Sequence, residues 1–357
     1  MIHLQKRAAP SRLMGYLAPV FALLLTVAAG FILFALLGVP VVDAFKAYFI
    51  DPVSDLYGWA ELGVKAAPLI MIAAALSLGF RAGVWNIGAE GQLILGGICG
   101  GAVALFFYDV ESIFVLPLMC LAGVVGGMLW AAIPALLRTK VNANEILVSL
   151  MLTYVASLLL SFLVHGPLRD PDGFNFPESR LFHDAATLPL VLPGTRLHIG
   201  APIALFIALS AWLLLSRTLL GFALRVNGQA PRAARHTGFS QSKLIWFSLL
   251  FTGGVAGLAG LFEVAGPIGQ LNPVISPGYG FTAIIVAFLG RLHPVGVVFA
   301  GLIMALSYLG GETAQITLNM PLAVTGVFQG MLLFFLLAAD VLIHYRVVFG
   351  RERRYVG

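Results

Sequence analysis

The sequence predicts an all-α integral membrane protein of about ten transmembrane helices, and three observations predict it. First, 60% of its 357 residues are hydrophobic and only 10% are charged, against the roughly 25% charged of a soluble domain. The mean hydropathy is +0.97. Second, apolar runs continue for about twenty residues, enough to cross a ~30 Å hydrocarbon core, where an outer-membrane strand would alternate apolar and polar positions. Third, basic residues gather in one set of inter-span loops and carboxylates in the other.

The first run, 15–38, follows Lys6, Arg7 and Arg12 and is a full span rather than the short apolar core of a signal peptide. Further runs fall at 61–80, 88–107, 113–137, 145–165, 199–216, 243–265, 277–290, 295–311 and 323–345. With the N-terminus in the cytoplasm, all but five of the 21 basic residues face inward. The exceptions are Lys46, Lys65, Arg169, Arg180 and Arg196. Asp43, Asp51, Asp55, Asp109, Glu111, Asp170, Asp172, Glu178 and Asp184 face outward. This asymmetry predicts that both termini are cytoplasmic. Residues 277–311 admit a single long span or two short helices broken at Gly290-Arg291-Leu292-His293-Pro294, and charge favours the break. The first arm is then about 21 Å long at 1.5 Å per residue, short for a crossing. It is expected to begin inside the membrane from a non-helical stretch near Ile268–Tyr279; the alternative is a short tilted helix in a thinned bilayer. Ten spans divide into two sets of five, which suggests two inverted halves by parity alone.

Two loops stand out. The external one, 166–198, is rich in Pro and Asp and reads as an ordered cap, a landing surface for a binding protein, or a solvated connector. The cytoplasmic one, 217–243, contains a short helix over about 229–238, from Gln229 through Pro231, Arg232, Ala233, Ala234 and Arg235 to Gly238. Proline suits the first turn, Ala and Arg favour helix, and Gly238 suits a left-handed cap. An isolated two-turn helix is unstable in water, so this one is expected to lie in a groove on a cytoplasmic partner; the alternative is a plain loop whose arginines satisfy the positive-inside rule. Its small residues present a low-relief face and its arginines supply donors.

A second constellation joins spans two and three: Arg81-Ala82-Gly83-Val84-Trp85-Asn86-Ile87-Gly88-Ala89-Glu90-Gly91-Gln92. Polar and ionisable groups so near hydrocarbon face a protein interior or a cavity, or else this is a plain cytoplasmic turn. With Asn144, Glu263, Asn272, Tyr279 and Thr282, the residues Asn86, Glu90 and Gln92 are the candidate lining of a path for an uncharged, hydrogen-bonding solute. No phosphate-binding glycine loop, zinc motif or catalytic Ser/His or Cys/His set is present, and Cys99 and Cys120 sit singly in apolar runs. The expectation is a transport subunit, not an enzyme, with no cofactor of its own and no nucleic-acid partner. ATP, if it drives transport, is bound by another chain.

These segments resemble permeases of ATP-binding-cassette importers, in the branch shared by ribose-type and branched-chain amino-acid systems. The stretch Trp85-Asn86-Ile87-Gly88-Ala89-Glu90-Gly91-Gln92 resembles the hallmark of nucleoside permeases. Pro231-Arg232-Ala233-Ala234-Arg235-His236-Thr237-Gly238 is similar to the family's coupling helix. Gly278-Tyr279-Gly280-Phe281-Thr282-Ala283-Ile284 and Gly290-Arg291-Leu292-His293-Pro294 also match the nucleoside branch, as does Ser149–Tyr154 with Thr153 where Asn is common. The resemblance spans roughly 60–345. It implies a multi-pass permease of the bacterial inner membrane carrying a nucleoside or related small polar solute. It also implies an ATPase with two fused cassettes, a second homologous permease and an extracytoplasmic substrate-binding protein. The competing class is an ion-coupled secondary transporter. That would need an intramembrane carboxylate, and Glu90, Glu145, Glu263 and Asp340 all lie near span ends.

Overall fold

A computed structural model describes residues 2–7, 11–321 and 323–349; the basic cluster Arg351, Arg353 and Arg354 lies outside them. In chain order the helices are α1 (Arg12–Leu36), α2 (Val41–Phe49), α3 (Leu56–Arg81), α4 (Ala89–Phe106), α5 (Val115–Val141), α6 (Glu145–His165) and α7 (Gly200–Arg217). There follow α8 (Leu219–Gln229), α9 (Pro231–His236), α10 (Gln241–Glu263), α11 (Tyr279–Leu289), α12 (Pro294–Leu318) and α13 (Ala323–His344). Among the described residues nine of these are long and apolar enough to cross a membrane, and α11 is a shorter apolar helix of 11 residues. The expected all-α fold is present, and among the described residues one two-stranded antiparallel ribbon, β1 (Ile2–Lys6) with β2 (Tyr345–Phe349), accompanies it.

The chain forms two units. The first contains residues 1–52 and 307–357. Its core is aromatic: the Phe328 ring lies 5.4 Å from Phe34 and 4.6 Å from Tyr48, between centroids. The amide of Ser11 donates to the Ile343 carbonyl (3.0 Å), so the start of α1 lies beside the end of α13. The α2 helix was not anticipated, because nine residues with Asp43 and Lys46 among apolar ones look like a connector in sequence.

The second unit, residues 53–306, is built around α3, which is almost wholly buried and packs against α7, α10 and α11. Beside it, α4, α5 and α10 interlock at glycines. A Cβ on Gly96 would run into the Gly257 backbone, and one on Gly127 into Gly253 and Gly257. Such close backbone approach replaces hydrophobic driving force, which is absent between helices in lipid, with van der Waals contact.

The break expected at 290–294 is present: α11 ends at Leu289, Arg291 and Leu292 adopt left-handed φ of 59° and 52°, and Pro294 opens α12. The expected non-helical stretch is present too. After α10 a wide turn (Val264–Ile268) ends at Gly269 (φ 77°), and the chain stays irregular until Gly278 (φ 98°) precedes α11. The short helix expected over 229–238 corresponds to α9, Pro231–His236; ahead of it lies α8, which was not expected and ends at Gln229, where Ala230 (φ −147°) separates the two.

Candidate functional site

The loop from Ala82 to Gly88 turns inward between α3 and α4. Asn86 is 1% exposed and Gln92 is 1% exposed. Their amides pair reciprocally: Asn86 Nδ2 donates to Gln92 Oε1 at 2.8 Å and Gln92 Nε2 donates to Asn86 Oδ1 at 3.0 Å. The other Asn86 proton goes to Thr252 Oγ1 on α10 (2.7 Å), and the Gly88 amide donates to Asn86 Oδ1 (3.2 Å). Every polar atom of Asn86 is thus spent inside the protein, which is what a buried amide requires. The pair fastens the loop to α4 and α10. Trp85 stacks outside it, 5.0 Å from Phe80 and 6.0 Å from Phe288.

Two residues past the end of the loop at Gly88, Glu90 is buried and accepts the Gly280 amide at 2.6 Å; Ser276 and Gly278 are further hydrogen-bond partners. Ser276 Oγ accepts from the amides of Gly278 and Tyr279 at 3.1 and 3.0 Å. These groups satisfy orphan N–H donors that open every helix, and they sit where the α11 dipole is positive. Gly280 is required there, because a Cβ would collide with the Glu90 backbone. The far end of α11 meets Arg81, whose Nε donates to Leu292 O (2.8 Å). Eleven residues of helix place Glu90 roughly 12–16 Å inward from that turn. Helix α11 therefore starts inside the protein.

Tyr279 and Thr282, on the first turn of α11, are 2% and 4% exposed and have polar partners of their own. Asn272 lies in the irregular stretch and its buried Oδ1 has no partner among the described residues. Glu263 closes α10, half-buried. Asn144 is elsewhere: it is exposed and caps α6, accepting from the Ile146 amide at 2.9 Å. The structure thus brings Glu90, Tyr279 and Thr282 to one helix start, joins Asn86 to Gln92, and sets Asn144 apart.

The 166–198 loop is an ordered cap over the irregular stretch. Its backbone bonds to that stretch at Ser179–Leu271 (2.8 Å), Phe182–Gly269 (2.8 Å) and Leu188–Ala265 (2.9 Å). Gln270 donates to Glu178 (2.7 Å). Arg196 forks onto the buried Glu61 of α3, with Nε 2.8 Å from Oε1. That carboxylate, above all through its hydrogen bond, raises the Arg196 pKa. His198, 2% exposed, accepts the Gly200 amide at Nδ1 (3.1 Å), which leaves its proton on Nε2. Burial pushes its pKa down to about 4.

On the opposite face, α9 stands out from the unit. Gln229, Pro231, Arg232, Ala233, Arg235 and Gly238 are exposed, and Gly238 takes the expected left-handed φ (86°). Ala234 is corrected: at 1% exposure it packs into its own chain and is not part of an outward face. Helix α8 is pinned to the end of α3. Asn227 Nδ2 donates to the Ala82 carbonyl (2.8 Å), and a Cβ on Gly228 would run into Arg81 O. Thr252, Asn227 and the Glu61–Arg196 pair escaped sequence reasoning. Their partners lie 166, 145 and 135 residues away, beyond any local pattern.

Among the described residues nine helices are long and apolar enough to cross a membrane, and within the second unit a half-helix starts in a buried polar interior, features of a polytopic membrane transport protein. The chain belongs to the family of branched-chain amino acid transport system permease components, whose model matches residues 59–337. Three of its relatives, matched over nine-tenths or more of their length, carry the names of ABC transporter permeases. The glucose ABC transporter permease protein TsgB13 of Haloferax volcanii is 38% identical over 98% of this chain and 94% of its own. The guanosine ABC transporter permease protein NupP of Bacillus subtilis is 28% identical over 96% and 98%. The nucleoside ABC transporter permease protein NupB of Lactococcus lactis is 24% identical over 90% of each chain.

Proposed function

We propose that this permease forms the translocation path of an ABC importer for an uncharged, hydroxyl-bearing solute, a nucleoside in the first instance. One observation carries the choice of an uncharged solute. A half-helix starting inside a transporter offers a positive end to anionic substrates. Here the carboxyl group of Glu90 already occupies that end, bonded to the Gly280 amide. Asn272 Oδ1, without a partner among the described residues, remains to meet a hydroxyl or amide donor of a neutral solute. The names of two relatives, guanosine and nucleoside permeases, support the nucleoside. That of the glucose permease, at 38% identity, supports a free sugar as the second reading.

In this account a cytoplasmic ATPase with two fused cassettes docks on α9. A second homologous permease completes the path and an extracytoplasmic binding protein delivers the solute. The membrane is the cytoplasmic one. Both termini lie on its inner face, consistent with pairing of β1 to β2, which requires an even number of crossings. Helix α11 with its irregular approach then counts as the tenth, and the two halves of five are inverted. Closure of the cassettes moves α9, and the Asn227 and Gly228 contacts pass that movement to the 82–88 loop. The Asn86–Gln92 pair and Glu90 carry it on to α11. The test is uptake of radiolabelled guanosine by cells expressing the complete transporter, against a roughly hundredfold excess of unlabelled competitors. Adenosine or uridine should abolish uptake and a nucleoside monophosphate should not. Competition by glucose alone would transfer the assignment to sugar, and competition by the monophosphate would refute a neutral path.

A further inference from the structure

The face that carries α9 holds a second polar feature. Arg81 at the end of α3, Arg225 on α8 and His293 in the α11–α12 turn converge on one cavity of about 110 Å³, far above the ~10–15 Å³ that lodges a water. No carboxylate lines it. Among the described residues none of the three basic groups is in an ion pair. Burial and then the Arg81 charge hold the His293 imidazole below its ordinary range, as expected where positive groups crowd together. The Arg81 bond to Leu292 O fixes one guanidinium in place. Two guanidinium groups and an imidazole on one cavity, with no carboxylate in its lining, make a site for an anion.

The surroundings say which anion. The cavity lies where α3 and α7 end and α12 begins, the level of lipid headgroups, and Trp212 beside it is an interfacial residue type. From Ser216 on its rim, the exposed residues Leu213, Leu209 and Leu205 continue along α7 at four-residue spacing, one stripe of a helix. A chain of CH₂ groups attached to the anion would have a surface to lie on. We propose that this cavity binds the phosphodiester of an anionic phospholipid, with its acyl chains along α7.

The full-length protein, purified in mild detergent, is titrated with phosphatidylglycerol, phosphatidylcholine of the same acyl composition, and deacylated glycerophosphoglycerol, with bound molecules counted by native mass spectrometry. Phosphatidylglycerol should remain bound and phosphatidylcholine should not. Arg225→Gln should weaken phosphatidylglycerol about fivefold, the ~1 kcal/mol of one basic residue near an anionic surface. Arg225→Lys should restore it, and Lys140→Gln, exposed on the basic side, should leave it unchanged. Equal retention of the two lipids, no effect of Arg225→Gln, or equal loss in Lys140→Gln would overturn the site. Displacement by glycerophosphoglycerol at equal concentration would make the ligand a free phosphodiester. If Arg225→Gln lost the ATPase but not the lipid, the cavity would belong to an acidic segment of that partner instead.

Discussion

Single residues in this protein are decided by where a polar atom can find a partner away from water. Glu90 is the sharpest case. Replacing it by Ala orphans the Gly280 amide, at a cost of about 1–3 kcal/mol, and frees the positive end of α11. Glu90→Gln keeps an acceptor oxygen. The expected result is a protein melting near the parent for Gln and clearly lower for Ala, with nucleoside uptake lost in Ala and largely kept in Gln. Equal uptake by all three would remove Glu90 from the path's construction. His198 supports a pH prediction. Its native pKa of about 4 lies below the ordinary 6.5, so between the two the unfolded chain binds the extra proton. Stability is full above pH 6.5, falls as pH drops through that window and levels off below about 4, a loss of at most ~3 kcal/mol. His198→Asn should flatten that segment of the thermal-stability profile; an unchanged slope would assign it to other groups.

Whole elements follow from the solvent on either side of them. The long spans were legible because lipid offers no hydrogen bonds, so each must be a continuous apolar helix, and the Gly290–Pro294 break was legible from its glycine, charge and proline. The amphipathic α2 and α8 were not, since nine and eleven residues of mixed polarity carry too few turns to show a period. For the same reason a six-residue helix could not announce that Ala234 turns inward while Ala233 turns out. The polar stretch at 86–92 was visible as a cost that something must offset, but the pairing of Asn86 with Gln92 depends on how loop meets helix. The 166–198 loop could be read as an ordered cap, a landing surface or a solvated connector without a choice among them, because its attachment to 265–271 is a backbone property with no side-chain signature. Arg232, exposed on α9, is the clean probe of coupling, whereas a large residue at Ala234 would disturb packing as well. Arg232→Glu should insert and melt normally yet lower nucleoside-stimulated ATP hydrolysis of the assembled transporter at least tenfold. Hydrolysis at the parent rate would take the coupling role away from α9.

At the scale of the molecule, one arrangement links its two faces. The exposed α9 is joined through α8 to the end of α3, and from there by the 82–92 stretch to a half-helix that starts in the interior. On the opposite face an ordered cap is bonded to the chain that leads into that half-helix. Under the proposed function this layout passes movement across the membrane from the α9 side. It is the reason for preferring an ATP-driven permease over an ion-coupled carrier. The family match and the full-length relatives agree with the first. The most direct measurement is uptake of radiolabelled guanosine in cells carrying this permease with its partner ATPase, compared with a hydrolysis-dead ATPase present at the same level. Uptake is expected with the active ATPase and none with the dead one, at any ion gradient. Uptake that persists with the dead ATPase and collapses with the gradient would contradict it.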